Sequence, residues 1–339
     1  MPNRVLVTGA GGFIGHHLVR YLKSSGSWVR GADVKPPDFE ATIADEFATV
    51  DLRDFDACVA VTEGVSHIYH LAADMGGIGY ISSNHASIAA NNTTLDLNML
   101  RAAHKSQAER LFYASSACVY PMYRQDDPDI QPLREEDAYP ADSEEGYGWE
   151  KLYAEKLCSY FREDGLVDTR IARFHNVYGP LGTFEGGREK APAAICRKVA
   201  LATDGDEIEV WGDGRQTRSF IYVDDCVEGI VRLLSSDYCE PLNLGTEELV
   251  TIDDLVDFVA AIAGKEIFKR HNLSGPQGVR GRNSDNSRLR QVLNWEPSVK
   301  LRDGLAATYS WIGEQLRESG GDPVPLTKDL TVSVKPIVP

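Results

Sequence analysis

The sequence lacks several patterns that define whole classes of protein. No apolar run approaches the roughly 18 residues of a membrane span, and no signal-peptide pattern precedes the first strand-like segment. No CxxC pair occurs among its six cysteines, which are Cys58, Cys118, Cys158, Cys196, Cys226 and Cys239. Such scattered cysteines indicate neither a zinc site nor a redox dithiol. We therefore expect a cytoplasmic protein with free thiols and no bound metal.

Positive charge is also scarce. The 339 residues include 35 Lys and Arg against 51 Asp and Glu, which gives a formal net charge of -16. This charge has the wrong sign for a nucleic-acid or anionic-membrane partner, although a local basic pocket remains possible. The 42% hydrophobic content is enough for one large domain or two moderate domains.

Short apolar segments alternate with helix-like segments through the first half of the chain. This alternation predicts an α/β fold with a Rossmann-like, doubly wound parallel sheet. We expect strands near 4–8, 29–33, 47–50, 67–72, 110–115 and 169–174, and helices near 13–25, 84–105 and 147–164. From about residue 180 the alternation breaks, which indicates a smaller C-terminal portion. The Gly- and Pro-containing end lacks helical periodicity and predicts a flexible tail.

A glycine-rich turn joins the first strand to the first helix. In "VLVTGAGGFIG" the residues Gly9, Gly12 and Gly15 have G-x-x-G-x-x-G spacing. Glycines let the backbone turn tightly and approach a pyrophosphate, whose charge is favoured by helix N-terminal amides. We therefore expect dinucleotide contacts here, including Phe13 and Ile14 at the start of the helix. A purely structural turn is the alternative.

Two acidic residues end the next two strands. Asp33 lies 18 residues beyond Gly15, where a carboxylate can accept from the ribose hydroxyls of NAD and repel the extra phosphate of NADP. NAD is therefore the expected cofactor, unless Asp33 is only a solvated acid. Asp51 either approaches the adenine ring or caps the following helix.

Three further residues form a candidate oxidation centre. Ser116 is placed at the carboxyl end of the fifth strand, where ligands gather in doubly wound sheets. Tyr147 and Lys151 are four residues apart, hence on one face of a helix. Lys151 and a bound nicotinamide would lower the pKa of Tyr147, so that its phenolate removes a proton from a sugar hydroxyl while Ser116 orients that hydroxyl.

Five segments, in this order, resemble the extended short-chain dehydrogenases that act on nucleotide sugars, and within them the GDP-mannose 3,5-epimerase family. The resemblance extends from about residue 4 to 316 and includes "ADMGGIGYISSNHA", "YASSACVYP", "RFHNVYGPLGTFEGGREKAPAAICRK", "WGDGRQTRSF" and "GPQGVRGRNSDN". It implies an NAD-binding Rossmann domain over 1–180 with returning segments near 213–250. A mainly substrate-binding portion then covers 181–318, and the tail covers 319–339.

The resemblance also implies a reaction. GDP-mannose is oxidised transiently at C4, which acidifies the C–H bonds at C3 and C5 because the carbanion becomes an enolate. Cys118 is then the base and Lys190 the acid, and C4 is reduced again to give GDP-L-galactose, or GDP-L-gulose after inversion at C5 alone. The family further implies a homodimer formed through the helices near 84–105 and 147–164.

The same resemblance implies a set of substrate contacts. They are Gly76, Ser116, Cys118, Asn176, Glu189, Lys190, Ala191, Lys198, Gln216, Arg218 and Arg282. Arg282 is the expected bidentate pyrophosphate contact. Lys198 is alternatively a helix-surface charge, and His175 is interpreted as a packed residue. Glu185 stands where a basic residue is expected, which bears on the shape of the sugar pocket.

Three alternative functions remain open. One is a GDP-sugar epimerase-reductase that consumes NADPH, although Asp33 argues against NADPH. Another is an epimerase for a different nucleotide sugar. The third, from a different class, is a non-catalytic dinucleotide sensor, which the presence of Ser116, Tyr147 and Lys151 disfavours.

Overall fold

A computed structural model describes residues 3–320 of the chain. The predicted tail at 319–339 lies outside the described residues, apart from its first two positions. Among residues 3–320, no helix is both long enough and apolar enough to cross a membrane.

The described chain contains fourteen strands. In chain order they are β1 (Arg4–Thr8), β2 (Trp28–Asp33), β3 (Glu46–Thr49), β4 (His67–His70), β5 (Arg110–Ser116), β6 (Asp168–Phe174), β7 (Val177–Tyr178), β8 (Glu207–Trp211), β9 (Thr217–Ser219), β10 (Ile221–Tyr222), β11 (Leu242–Leu244), β12 (Leu249–Thr251), β13 (Phe268–Asn272) and β14 (Gly281–Arg282).

Ten α-helices lie within the same residues. They are α1 (Phe13–Ser24), α2 (Phe55–Thr62), α3 (Ile78–Ile81), α4 (His85–Lys105), α5 (Tyr147–Glu163), α6 (Ala191–Leu201), α7 (Val223–Ser235), α8 (Ile252–Ala263), α9 (Ser287–Leu293) and α10 (Leu301–Glu318).

Seven strands form a parallel sheet in the order β11-β6-β5-β4-β1-β2-β3. The predicted Rossmann-like α/β class is therefore confirmed. The six predicted strands and three predicted helices agree with the observed elements to within two residues at each end. The largest difference is β4, which ends at His70 rather than at residue 72.

The central sheet is covered on both faces, as an all-parallel sheet requires. Val5 and Val7 of β1 pack into one core cluster, which also contains buried residues of α1, α6, α7, α8 and α10. Leu6, between them, packs into the other cluster with residues of α2, α4 and α5. Successive side chains thus point to opposite faces, and each face is buried by helices.

The chain after β6 builds smaller sheets and one returning strand. β11 pairs in parallel with β6 and extends the central sheet. β12, β9 and β14 form a three-stranded sheet, while β13 pairs with β8 and β10 pairs with β7. The β9–β14 pair positions two arginines that are discussed below.

Candidate active site

A cavity of about 1070 Å³ brings together residues from both halves of the described chain. It is lined by nearly all of the residues predicted from sequence, namely Gly9, Gly12, Phe13, Ile14, Gly15, Asp33, Asp51, Gly76, Ser116, Cys118, Tyr147, Asn176, Glu189, Lys190, Ala191, Lys198, Gln216, Arg218 and Arg282. Lys151 is the exception, because it is buried and is not among the lining residues.

The glycine-rich turn packs so closely that side chains cannot be accommodated. Gly9 has a φ of +68°, and a Cβ there would lie 2.9 Å from the Ala72 nitrogen. A Cβ on Gly15 would lie 2.0 Å from the Gly9 carbonyl oxygen. α1 begins directly afterwards with no acidic residue in its first turn and no side-chain cap. Its first amides therefore face the cavity and suit a pyrophosphate.

The structure gives different partners to two acids, Asp33 at the end of β2 and Asp51 shortly after β3. The Asp33 carboxylate accepts from the backbone N–H groups of Gly11 at 2.9 Å and Val34 at 2.6 Å, which hold it beside the glycine turn. Asp51 is ion-paired with Arg53 at 2.6 Å. The cap of α2 is Asp54, which accepts from the Asp56 amide, so Asp51 is not the helix cap. Both Asp33 and Asp51 remain available to a cofactor.

Ser116 and Tyr147 meet where β5 ends and α5 begins. Ser116 is the last residue of β5, and Tyr147 is the first residue of α5. The Ser116 hydroxyl accepts from the Cys118 amide at 3.2 Å and also hydrogen-bonds to Tyr147. Burial raises the pKa of Tyr147, whereas Lys151 and Ser116 oppose this rise. The predicted influence of Lys151 is present, but burial outweighs it.

Lys151 reaches Tyr147 from a buried polar network. Its Nζ lies 5.7 Å from the centre of the Tyr147 ring and donates to the Tyr113 hydroxyl at 3.0 Å. Burial lowers the pKa of Lys151, but the nearby carboxylates of Glu150 and Asp96 raise it above the ordinary value. Lys151 is therefore a permanent cation beside Tyr147, which is the electrostatic role that the sequence predicted.

Cys118 lies close to two charged side chains, those of Arg282 and Glu144. The sequence did not single out Glu144. Arg282 Nη1 donates to Cys118 Sγ at 3.5 Å, and Arg282 Nη2 donates to Glu144 Oε1 at 2.6 Å. Burial and the Glu144 carboxylate raise the pKa of the Cys118 thiol to about 11, against the opposing effects of Arg282 and Ser116. Arg282 is thus a cation beside this cysteine, and Glu144 opposes its effect on the thiol pKa.

Lys190 lies at the N-cap position of α6, followed by Ala191 and Pro192. Burial lowers the pKa of the Lys190 ammonium, and the nearby Cys118 opposes this effect. Lys190 and Cys118 therefore face the same part of the cavity. The environment favours the neutral form of each group, an amine and a thiol.

The remaining predicted contacts occupy different parts of the cavity wall. Gln216 is buried, and its Oε1 has no hydrogen-bond partner among residues 3–320. Lys198 Nζ donates to the Glu209 carbonyl at 2.7 Å, so Lys198 is not simply a solvated helix charge. Arg282 also donates from Nε to Gln125 at 2.7 Å. Three of its nitrogens thus have protein partners, and a pyrophosphate contact would use the N–H groups that remain.

Two residues named in the sequence lie apart from the cavity wall. Glu185 is exposed and is absent from the lining. His175 is buried, and its Nε2 lies 3.1 Å from Asn243 Oδ1. Burial lowers the pKa of His175 to about 3. No group of three His, Cys, Asp or Glu side chains within residues 3–320 is arranged to hold a metal ion.

Family comparison agrees with this geometry. Residues 5–245 match the NAD dependent epimerase/dehydratase family, and the chain belongs to that family. The family is NAD dependent, and the glycine turn and Asp33 suit that cofactor.

More specific similarities follow. The chain is 49% identical over 317 residues to GDP-mannose 3,5-epimerase 1 of rice (Oryza sativa subsp. japonica), covering 93% of this chain and 83% of the rice enzyme. A UDP-glucose 4-epimerase from Thermotoga maritima superposes with a TM-score of 0.83 at 24% identity, covering 92% of this chain and 99% of the other. MoeE5 in complex with UDP-glucose and NAD is 28% identical with a TM-score of 0.78, and the match covers 93% of this chain and 100% of MoeE5.

Proposed function

We propose that this protein is a GDP-mannose 3,5-epimerase, which converts GDP-α-D-mannose to GDP-β-L-galactose and, by inversion at C5 alone, to GDP-L-gulose. The observation that carries the proposal is the 49% identity to the rice enzyme over 93% of the chain. A single cavity that contains Ser116, Tyr147, Cys118 and Lys190 supports it.

The oxidation centre has defined roles in this proposal. NAD, when bound, supplies the hydride acceptor and donor for the transient oxidation at C4 of the hexose. Ser116 orients the C4 hydroxyl and Tyr147 takes its proton. Lys151 stabilises the Tyr147 tyrosinate that accepts this proton, because Lys151 is a buried cation 5.7 Å from the Tyr147 ring centre.

Cys118 and Lys190 form the proton-transfer pair. After C4 becomes a ketone, the C–H bonds at C3 and C5 are acidified because the electron pair can enter the carbonyl as an enolate. One group takes the proton from one face of the ring, and the other returns a proton to the opposite face. Their shared position in the cavity, where Cys118 raises the pKa of Lys190 against the effect of burial, supports this assignment.

We propose that the charged groups around the cavity hold the nucleotide. Arg218 and Arg282 supply positive charge for the pyrophosphate, and the unpartnered Gln216 Oε1 supplies a polar contact. Gly76, Asn176, Glu189, Ala191 and Lys198 complete the contact set. In this assignment, the portion after residue 180 binds the sugar nucleotide, and the portion before it binds NAD.

The test is incubation of the purified protein with GDP-mannose in deuterated water and no added reductant. We expect solvent deuterium at C5, and at C3 in the doubly inverted product, together with GDP-L-galactose and some GDP-L-gulose. Protein-bound NAD is expected in the purified sample. Absence of ring exchange would contradict the proposal, and a strict requirement for NADPH would favour an epimerase-reductase instead.

We also propose a cytoplasmic homodimer. Helix α5 exposes Trp149, Tyr153 and Tyr160, which are 47%, 53% and 52% exposed and share one face at helical spacing. An aromatic face of this kind is typical of a surface that packs on a partner, and a second copy presents the same helix. The six free cysteines agree with a reducing compartment.

A further inference from the structure

Two segments of the chain meet at the cavity wall, and both carry proposed substrate contacts. One segment follows β4 and carries Gly76, and the other precedes α6 and carries Glu189 and Lys190. The Gly77 amide donates to the Arg188 carbonyl at 3.1 Å. A Cβ on Gly77 would lie 2.6 Å from the Glu189 carbonyl oxygen. The two segments are therefore in direct contact through their main chains.

The side chain of Arg188 adds to this contact. Its guanidinium carbon lies 3.9 Å from the centre of the Tyr80 ring, which is a cation–π arrangement. Its Nη1 also donates to the Met75 carbonyl at 3.5 Å. A Cβ on Gly76 would lie 2.9 Å from the Tyr80 Cβ, so the segment after β4 packs tightly around the same tyrosine. Arg188 thus contacts the opposite segment through both its main chain and its side chain.

Tyr80 is held against helix α4 through Asp74. The Tyr80 hydroxyl donates to Asp74 Oδ1 at 2.8 Å, and Asp74 Oδ2 accepts from Asn91 Nδ2 at 2.9 Å. The Asp74 amide donates to Asn92 Oδ1 at 2.6 Å. Asn91 and Asn92 are residues of α4, which packs on the central sheet. The ring that Arg188 covers is therefore supported from the body of the fold.

Near Arg188, the segment before α6 is glycine-rich and open. Gly186 and Gly187 have φ angles of +89° and +84°, and a Cβ on either would meet no atom of residues 3–320 within 4 Å beyond its chain neighbours. The Glu189 carboxylate accepts from the Gly187 amide at 2.7 Å and lies 3.7 Å from Arg197 Nη2 on α6. Neither of these contacts reaches the segment after β4, whereas those of Arg188 do.

We propose that Arg188, packed on Tyr80, is a positioning residue that holds Lys190 against the bound sugar. The proposal rests on the proposed epimerase function, because it concerns proton transfer to that sugar. Ser116 and Tyr147 belong to β5 and α5 and not to either segment. Loss of the Arg188 contact should therefore impair proton transfer at the ring carbons more than oxidation at C4.

The first experiment measures amide hydrogen exchange at Gly77 without substrate. In the wild type this amide should be protected, because it donates to the Arg188 carbonyl. Arg188→Ala removes the cation–π contact and should speed the exchange by roughly 2- to 5-fold, as expected for an exposed contact of this kind. Arg4→Ala is the matched control, since the Arg4 guanidinium carbon lies 3.5 Å from the Trp28 ring centre, outside the cavity.

The second experiment uses GDP-mannose in deuterated water and compares ring exchange with the initial rate of NAD reduction. Arg188→Ala should lower the ratio of ring exchange to NAD reduction by about 2-fold or more. A merely structural role would lower both rates together. Tyr80→Ala should have the same effect, and the double variant should be little worse than either single variant, because the two side chains make one contact. Tyr80→Phe retains the ring and should retain most of the ratio.

Each outcome is decisive. An unprotected Gly77 amide in the wild type would overturn the proposal without any variant. Unchanged exchange in Arg188→Ala, or an equal rise in Arg4→Ala, would also overturn it. Normal turnover with an unchanged ratio in Arg188→Ala would overturn it while the epimerase function stands. Absence of wild-type turnover would instead contradict the proposed function, and the Gly77 measurement would still decide whether Arg188 joins the two segments.

Discussion

Arg218 and Arg282 lie directly opposite each other on the adjacent parallel strands β9 and β14. Arg218 is fixed by donation to the carbonyls of Thr217 and Val279, each at 2.7 Å. Burial and the neighbouring Arg282 lower the pKa of Arg218 to about 10. Two crowded cations in a chain of net charge -16 form a local site for an anion, which suits a pyrophosphate.

Tyr147→Phe should abolish C4 oxidation while NAD still binds. The substitution removes the phenolic oxygen that we propose takes the substrate proton, so turnover should fall by about 100-fold or more. NAD reduction, monitored spectroscopically after addition of GDP-mannose, measures the loss. Tyr153→Phe is the control, since Tyr153 lies on the exposed face of α5. Comparable loss in both variants would count against a catalytic role for Tyr147.

Cys118→Ala should separate oxidation from epimerisation. Oxidation of the hexose at C4, observed as NAD reduction, should persist. Deuterium exchange at C3 and C5 should fall by about 100-fold or more, because one member of the proposed proton-transfer pair is missing. Proton nuclear magnetic resonance of the recovered sugar nucleotide measures the exchange. Cys239→Ala, a change at a partly exposed thiol outside the cavity, should exchange normally. Exchange at the wild-type rate in Cys118→Ala would exclude Cys118 from the proton-transfer pair.

Asp33→Ala should weaken NAD binding and reduce discrimination against NADP. Loss of the carboxylate that we propose accepts from the ribose hydroxyls should lower NAD affinity by about 10- to 100-fold, as expected for charged hydrogen bonds. Calorimetric titration of cofactor-free protein with each dinucleotide measures both affinities. Glu46→Ala removes an exposed carboxylate from the neighbouring strand β3 and should change neither. An equal preference for NAD over NADP in Asp33→Ala and the wild type would refute the assignment of Asp33 to the cofactor ribose.

Tyr153→Glu should convert the proposed dimer to a monomer. The change places a charge at the centre of the exposed aromatic face of α5, where burial against a second copy would require its desolvation. Sedimentation equilibrium measures the mass. Tyr123→Glu alters another exposed tyrosine, 49% exposed and outside the sequence of α5, and should leave the assembly intact. A dimer that survives Tyr153→Glu would place the interface elsewhere.

Gly148→Ala should destabilise the protein and disturb the active site together. The added methyl group would meet the Cys118 carbonyl oxygen at 2.3 Å, so the backbone must shift, at a cost of about 1–3 kcal/mol. Chemical denaturation measures the change in the free energy of unfolding. The added methyl group of Gly313→Ala in α10 meets no atom of residues 3–320 within 4 Å apart from its chain neighbours and the nearby backbone of its own helix, so this change should be neutral or stabilising. Equal stability of the two variants would contradict the packing argument.

Local patterns were enough to predict the sheet and the closeness of Lys151 to Tyr147. The glycine turn, Asp33 and the Tyr147–Lys151 spacing are short-range features, because each is set by one strand end or one helical turn. The same short range explains why Lys151 was predicted beside Tyr147 while its carboxylate partner Asp96, on α4, was not foreseen.

Sequence alone could not distinguish Glu144 from Glu145, because the two are adjacent residues of the same type. One side chain is buried against Arg282, and the other is 81% exposed. The difference arises when β14 and the chain after β5 come together across more than a hundred residues. Identical residue types therefore acquire opposite environments, and only the tertiary structure assigns them.

The return of β11 to the central sheet has a consequence for synthesis on the ribosome. Until Leu242–Leu244 emerge, β6 is the outermost strand on its side, with seven residues and an unpaired edge. A nascent chain that stops before β11 thus exposes a template for aggregation. In the finished fold both outer strands are short, with three residues in β11 and four in β3, which limits sheet growth between molecules.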